Sequence, residues 1–104
     1  MDQDLFLKRI SSKVRNSDPD AIVYLYGSRA RGDNHTESDW DLLILVDDKK
    51  VTNDIEDRFR NELFEIELES GQIISTLIYP KDYWNNVMTI TPLFKNVSKE
   101  GVII

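Results

Sequence analysis

The sequence contains no cysteine, which excludes disulfides and zinc sites with thiolate ligands. It also lacks a long apolar run, and the longest one is far short of the ~20 residues that a membrane-spanning helix needs. The N-terminal segment MDQDLFLKRI has no basic region followed by an apolar core, so we expect no secretory signal peptide. These absences predict a cytoplasmic protein that does not enter a membrane.

Basic residues are also in deficit, because 13 lysines and arginines face 19 aspartates and glutamates, for a formal net charge of −6. A protein that binds nucleic acid broadly needs a basic face to neutralise phosphates. The acidic balance therefore argues against general nucleic-acid binding. It remains compatible with a small phosphorylated ligand that arrives together with a metal ion.

The length of 104 residues suits one domain, residues 1–104, with a modest core. Helices are predicted over residues 2–16 and 52–68, after Pro80 and from Pro92 to Gly101, and strands over residues 21–26, 39–46 and 72–79. Residues 64–69 alternate between apolar and acidic side chains and would also suit a strand, but the preceding helical period extends into them and favours a helix. Strands that alternate with helices predict an α/β (α+β) fold, a small mixed sheet flanked by helices.

Two acids, Asp39 and Asp41, open an otherwise apolar strand. Residues two apart on a strand point to the same face, with Cα atoms roughly 6.5–7 Å apart. Two like charges beside a buried strand are unfavourable unless a cation joins them, and Mg²⁺ suits a pair of carboxylates whose shell is completed by phosphate and water. The alternative is a solvated pair at a loop edge, and a bare Asp-x-Asp pattern alone would favour it.

The preceding strand ends in Gly27 and Ser28, and Arg29 and Arg31 follow. A residue without Cβ lets a phosphate approach the backbone, and Ser28 adds a hydroxyl donor. Arg29 and Arg31 are able to add charge-assisted contacts to phosphate. A glycine turn with two solvated arginines is the alternative. A phosphate-binding loop after one strand and an acid pair on the next together predict a nucleotide site.

Other motifs and residues in this region do not indicate a catalytic or binding role. Gly27 and Gly32 have the glycine spacing of a P-loop, but Asp33 and Asn34 stand where lysine and serine or threonine are required. The only histidine, His35, lies in a polar loop and is expected to be a solvated surface residue. Trp40 is expected in the core.

The run Gly27-Ser28-Arg29-Ala30-Arg31-Gly32, followed by Ser38-Asp39-Trp40-Asp41-Leu42, resembles the signature of the DNA polymerase β nucleotidyltransferase superfamily. Within it, the chain is similar to the minimal nucleotidyltransferases, which are often paired as antitoxins with toxins that contain a HEPN domain. The resemblance implies a polymerase β-like palm fold and transfer of AMP from ATP to a hydroxyl, typically a tyrosine of the HEPN partner in a hetero-oligomer. It implies that Gly27 and Ser28 hold the triphosphate, and that Asp39 and Asp41 hold Mg²⁺.

One departure from the family pattern concerns a third carboxylate, which active members usually carry on a later strand. The matching segment, residues 72–79, has no acid, and Ser75 or Thr76 stands near the expected position. Glu67 or Glu69 would substitute only if that segment turned toward the site. The departure supports nucleotide and Mg²⁺ binding better than turnover, so a catalytically weak antitoxin that acts by complex formation is the alternative function.

Overall fold

The computed structural model describes residues 2–104. The helices are α1 (Gln3–Ser17), α2 (Ser28–Arg31), α3 (Asn53–Ser70), α4 (Lys81–Asn86) and α5 (Pro92–Glu100), with a 3₁₀ turn at Met88–Ile90 between the last two. The strands are β1 (Ile22–Tyr26), β2 (Trp40–Val46), β3 (Ile74–Pro80) and β4 (Val102–Ile103). None of the helices within residues 2–104 has the length and hydropathy that a membrane span requires.

The four strands form one sheet in the order β3-β2-β1-β4. Strand β1 pairs antiparallel with both β2 and β4, whereas β2 and β3 run parallel. The sheet is therefore mixed, and the predicted α/β architecture is confirmed. Since β2 is an inner strand, both of its faces must be covered or must carry polar groups that water or a ligand satisfies.

One face of β2, here called the core face, carries its even-numbered side chains and is covered by α1 and α3. The buried side chains on this side include Phe6, Ile10, Val14, Trp40, Leu42, Ile44, Val46, Phe59, Leu63 and Ile66. They follow the helical and strand periods read from the sequence. Burying each large side chain contributes about 1.5–3 kcal/mol, so this layer supplies most of the apolar stabilisation.

The opposite face, here called the site face, carries the odd-numbered side chains of β2. Leu43 and Leu45 are buried there under Trp84 of α4 and Val97 of α5. Asp41 lies on the same side at the N-terminal end of the strand and is half-buried. The site face is thus apolar along most of β2 and polar at one end.

Local signals explain where the helices begin and end. The Asp2 carboxylate accepts hydrogen bonds from the N–H groups of Asp4 at 2.9 Å and Leu5 at 3.3 Å, which caps α1. Thr91 caps α5 in the same way and is followed by proline, as predicted. The segment 64–69 is helical and completes α3, which ends at Gly71 with a φ of +73°.

The C-terminal apolar segment adds a strand that the sequence pattern did not predict. Val102 and Ile103 form a fourth strand, in which Ile103 pairs with Tyr24 and Val102 with Leu25. Their side chains are 50% and 60% exposed, so backbone hydrogen bonds hold these two residues, whereas the Ile104 side chain is partly buried against the core. The Ile104 N–H extends this pairing by donating to the Val23 carbonyl at 3.0 Å.

Candidate active site

The turn that follows β1 is shaped by Gly27. Its φ of +77° and ψ of −159° define a backbone conformation that residues with a Cβ rarely adopt. A Cβ added at Gly27 would lie 2.3 Å from Oδ2 of Asp41, closer than any real contact. Glycine is therefore the residue that lets the Asp41 carboxylate lie directly against the backbone of the turn.

The antiparallel register between β1 and β2 explains this contact, because Tyr26, the last residue of β1, is paired with Asp41. Asp39 immediately precedes β2 and is exposed. Burial raises the pKa of Asp41 above its ordinary value of 3.8, and the negative charge of Asp39 raises it further. The positive charge of Arg31 partly opposes this shift. The structure therefore brings together the two acids that the sequence singled out.

The acid pair supplies the donor atoms for a metal ion at this site. Residues 2–104 contain no group of three or more histidine or carboxylate side chains arranged to hold a metal ion. Asp39 and Asp41 form a pair of hard oxygen donors whose mutual repulsion a divalent cation would relieve. Mg²⁺ commonly takes one or two protein carboxylates and completes its coordination with phosphate oxygens and water, so this pair fits Mg²⁺ delivered with a nucleotide.

Arg29 was predicted to contact phosphate, but the structure places its guanidinium elsewhere. The side chain is buried, donates to the Ser38 carbonyl at 2.9 Å and the Thr36 carbonyl at 3.3 Å, and lies 4.4 Å from the centre of the Trp40 ring. Because Trp40 and Asp41 point to opposite faces of β2, Arg29 is on the side away from Asp41. Its contacts fasten the loop between α2 and β2 instead.

Arg31, two residues later, lies on the side of Asp41. Its side chain is 46% exposed and donates from Nε to Oδ2 of Asp33 at 3.0 Å. Its Nη1 contacts both carboxylate oxygens of Glu100, at 3.2 and 3.0 Å. Ser28, at the start of α2, has a hydroxyl that makes no hydrogen bond with any other residue in the described part of the chain. The structure therefore provides a cation on the side of Asp41, in Arg31, and a hydroxyl without a protein partner in the described residues, at Ser28.

Glu100 belongs to this site although the sequence did not identify it. The Gly27 N–H donates to its Oε1 at 3.3 Å, and the side chain is only 17% exposed. The pairing of β4 with β1 explains the contact: Val102 pairs with Leu25, and Glu100 and Gly27 each lie two residues from that pair, at the end of α5 and in the turn after β1. A glutamate at the end of an amphipathic helix has no local signature, so only the tertiary structure reveals it.

The two glutamates considered as substitutes for the missing third acid do not reach the site. Glu67 accepts a hydrogen bond from the Ile74 N–H at 2.9 Å, where it caps the start of β3. Glu69 is exposed and forms an ion pair with Arg9 of α1. Both lie on α3, which covers the core face. On the site face, the residue paired with Asp41 on β3 is Ser75, which is exposed and carries no charge.

Two further predictions concern residues near the site. Trp40 is fully buried, as predicted, and its indole N–H donates to Oε1 of Gln72 at 3.0 Å. His35 is exposed, as predicted, and its Nδ1 accepts from the Glu37 N–H at 3.3 Å. Neither side chain joins the acid pair.

Comparison with solved structures supports the fold. A crystal structure of a toxin–antitoxin with AMP-PNP is similar with a TM-score of 0.66 and 21% sequence identity, over 92% of this chain and 69% of that chain. Two mutants of the MntA-HpeT toxin–antitoxin are similar with TM-scores of 0.65 and 0.62 and identities of 18% and 19%. The matches cover 92% and 100% of this chain and 69% and 72% of those chains.

Sequence comparison supplies the family. No protein of curated function matches the chain. Residues 8–104 match the family described as polymerase beta, nucleotidyltransferase, and this region includes the turn at Gly27, the acid pair and all four strands. Because the match spans nearly the whole sequence, the chain belongs to the polymerase beta nucleotidyltransferase family.

Proposed function

We propose that this protein transfers AMP from ATP to a hydroxyl group in a Mg²⁺-dependent reaction. The observation that carries the proposal is the position of the Asp41 carboxylate, which lies against the Gly27 backbone and beside Asp39. Carboxylates able to bind a metal ion therefore lie next to backbone that a phosphate is able to approach. Membership of the family supplies the reaction class, which is nucleotidyl transfer.

In the proposed reaction, the acceptor oxygen attacks the α-phosphorus of ATP and the bond to the β-phosphate breaks. AMP is joined to the acceptor, pyrophosphate leaves, and the hydroxyl proton passes to solvent. The Gly27 turn, the Ser28 hydroxyl and Arg31 bind phosphate oxygens, and Asp39 and Asp41 hold Mg²⁺. When bound, Mg²⁺ would neutralise charge on the phosphates and on the leaving group.

The proposed acceptor is a tyrosine of a toxin with a HEPN domain, so this protein would act as a cytoplasmic antitoxin in a hetero-oligomer. Two observations support this partner. The similar solved structures are toxin–antitoxin structures, one of them with AMP-PNP. The motif from Gly27 to Asp41 resembles that of minimal nucleotidyltransferases.

The test is to incubate the purified protein with ATP labelled at the α-phosphate, Mg²⁺ and the protein encoded by the adjacent gene, as the candidate partner. We expect label on a partner tyrosine, located by mass spectrometry. Asp41→Asn should lower the initial rate at least about a hundredfold, since the transition-state charge loses its stabilisation. Asp48→Asn, at an exposed acid just beyond β2, is the matched control and should transfer at the wild-type rate.

Absence of transfer by the wild-type protein, or equal transfer by an Asp39→Asn/Asp41→Asn double variant, would reject the enzymatic proposal. Label transfer in the double-variant sample would come from a contaminating transferase, because that variant lacks both acids. Binding of ATP with Mg²⁺, measured by calorimetry, separates an inactive nucleotide-binding protein from a domain that has no ligand.

A second candidate function is neutralisation of the toxin by complex formation alone. It is favoured by Ser75, which occupies the β3 position level with Asp41 where an acid would be expected. Under this proposal the Asp39→Asn/Asp41→Asn variant still protects cells that express the toxin. If that variant binds the toxin normally but no longer protects, occlusion is insufficient and transfer is required.

A further inference from the structure

We propose that Glu100 sets the nucleotide affinity of this site by occupying, in the nucleotide-free protein, the anion position between the Gly27 N–H and Arg31. The inference rests on the proposed nucleotide-binding function and adds a residue that competes with the ligand. Glu100 must turn away before a phosphate oxygen takes its place. Its removal should therefore strengthen binding, which is the opposite of what a ligand-contacting residue would do.

The contacts of Glu100 are those expected for a bound phosphate group. Its Oε1 accepts from the Gly27 N–H at 3.3 Å and from Nη1 of Arg31 at 3.2 Å, while Oε2 lies 3.0 Å from the same Nη1. A carboxylate and a phosphate present similar pairs of anionic oxygens to such donors. The Glu100 side chain is 17% exposed against 46% for Arg31, so the carboxylate is the more enclosed partner.

The fold holds Glu100 in this place. The residue after it, Gly101, donates its N–H to the Val97 carbonyl at 2.7 Å, and a Cβ on Gly101 would lie 2.5 Å from that oxygen. The chain then enters β4, where Val102 pairs with Leu25. Glu100 is thus fixed at both ends, by helix α5 and by the sheet, and its reach to Gly27 does not depend on a mobile terminus.

A nucleotide and Glu100 would compete for two reasons. A single N–H at Gly27 has one good hydrogen-bond direction, so a phosphate oxygen that takes it displaces the carboxylate. In addition, Glu100 contacts the same Gly27 backbone that the Asp41 carboxylate lies against, so its negative charge adds to that of the acid pair. A triphosphate entering this region is repelled by Glu100 as well as by the acid pair. Mg²⁺ would neutralise the negative charge of the acid pair. It would not neutralise Glu100, whose carboxylate is paired with Arg31.

Asp33 provides a matched comparison, because it is also an acid paired with Arg31, at 3.0 Å, but its side chain is 61% exposed. Its carboxylate makes no hydrogen bond to Gly27 among the described residues. Removing the charge of Asp33 therefore releases Arg31 from one partner without clearing the anion position. Glu100→Gln keeps the shape of the side chain and removes only its charge.

The experiment is calorimetric titration of wild-type protein, Glu100→Gln and Asp33→Asn with a non-hydrolysable ATP analogue and Mg²⁺, and with inorganic tripolyphosphate alone. We expect Glu100→Gln to lower the Kd of both ligands about three- to tenfold, since one nearby like charge is removed. Asp33→Asn should leave each Kd within about twofold of the wild-type value. Glu100→Ala, which also removes the competing oxygens, should bind at least as tightly as Glu100→Gln.

The outcomes distinguish a Glu100 that competes with the nucleotide from a Glu100 that contacts it. Weaker binding by Glu100→Gln and Glu100→Ala, with melting temperatures within about 5 °C of wild type, would overturn the inference and make Glu100 a ligand-contacting residue. An unchanged Kd in both variants, or equal gains in Asp33→Asn, would also overturn it. If wild-type protein and all variants bind neither ligand, the proposed nucleotide-binding function fails and the inference fails with it. Tighter binding in the Glu100 variants alone supports it.

Discussion

The two faces of β2 differ in how far they are covered. On the core face, helices α1 and α3 bury the even-numbered side chains from Trp40 to Val46, and Trp40 is fully enclosed. On the site face, α4 and α5 bury Leu43 and Leu45 but leave the end that carries Asp41 only half-buried. Neighbouring residues of one strand therefore have opposite roles, one in stability and one in the candidate site.

The two arginines of α2 also differ in which face of β2 they reach. Arg29 reaches the core face, where it packs on Trp40 and holds loop carbonyls. Arg31 reaches the site face, where it pairs with Glu100 and Asp33. The same residue type within one helical turn thus supports the fold in one case and the candidate phosphate site in the other.

Gly27→Ala should have the largest effect, because it places a Cβ against Oδ2 of Asp41 at a φ of +77°. We expect the free energy of unfolding to fall by about 2–4 kcal/mol and nucleotide affinity to fall more than about tenfold. Gly32→Ala is the matched control, since Gly32 also has a positive φ, of +84°, but has open space around it. It should lower stability by only about 1–2 kcal/mol and leave nucleotide affinity unchanged. Urea denaturation and calorimetry measure the two quantities, and equal effects of the two substitutions would contradict the assignment of Gly27 to the site.

Replacing each arginine with methionine should separate the two faces. Arg29→Met leaves the carbonyls of Thr36 and Ser38 without their donor and removes the contact with Trp40, so it should lower stability by about 2–3 kcal/mol. Arg31→Met breaks one ion pair that is exposed and one whose acid, Glu100, is 17% exposed, so it should lower stability by less, about 1 kcal/mol.

Nucleotide affinity should respond in the reverse order. Arg31→Met should weaken binding about tenfold, because a charge-assisted phosphate contact is lost, and Arg29→Met should weaken it less. The measurements are urea denaturation and calorimetric titration with a non-hydrolysable ATP analogue. A larger loss of affinity in Arg29→Met than in Arg31→Met would show that Arg29 contacts phosphate, and would contradict the assignment of the two arginines to different faces.

The smallest predicted effect is a pH dependence of stability that arises from Asp41. Its folded-state pKa is raised above 3.8, first by burial and then by the charge of Asp39. Within the interval between the unfolded and folded pKa values, the folded protein binds more protons, so the Asp41 contribution to stability becomes less favourable as pH rises. Wild-type protein should therefore lose stability relative to Asp41→Asn as pH rises above about 4, and urea denaturation at several pH values measures the difference. A difference that is constant with pH, or that favours wild type as pH rises, would contradict the raised pKa.

Much of the fold was predictable because its signals are local. The apolar periods of α1 and α3, the Thr91-Pro92 start of α5 and the alternation along β2 each occupy a few turns of helix or one strand. The 3₁₀ turn at Met88–Ile90 and strand β4 were not predicted. A two-residue strand has no recognisable period, and its side chains stay exposed, so only its pairing with β1 defines it.

The candidate site was predictable in part for the same reason. Gly27, Ser28, Asp39 and Asp41 lie within one short stretch, and strand geometry directs both acids to one side. The prediction for Arg29 was drawn from residue type alone, which does not say which face of β2 a long side chain reaches. Arg29 and Arg31 are distinguished by their partners, and those partners come from other parts of the fold.

The amino-acid sequence by itself determined the α/β architecture, the inner strand with its acid pair and the glycine turn beside it, because these depend on the order of neighbouring residues. The tertiary structure decided which arginine faces the acids, excluded Glu67 and Glu69, and brought Glu100 to Gly27 across 73 positions of sequence. That last contact requires β4 to pair with β1. Long-range pairing of this kind is set by the register of the whole sheet, and no local pattern encodes it.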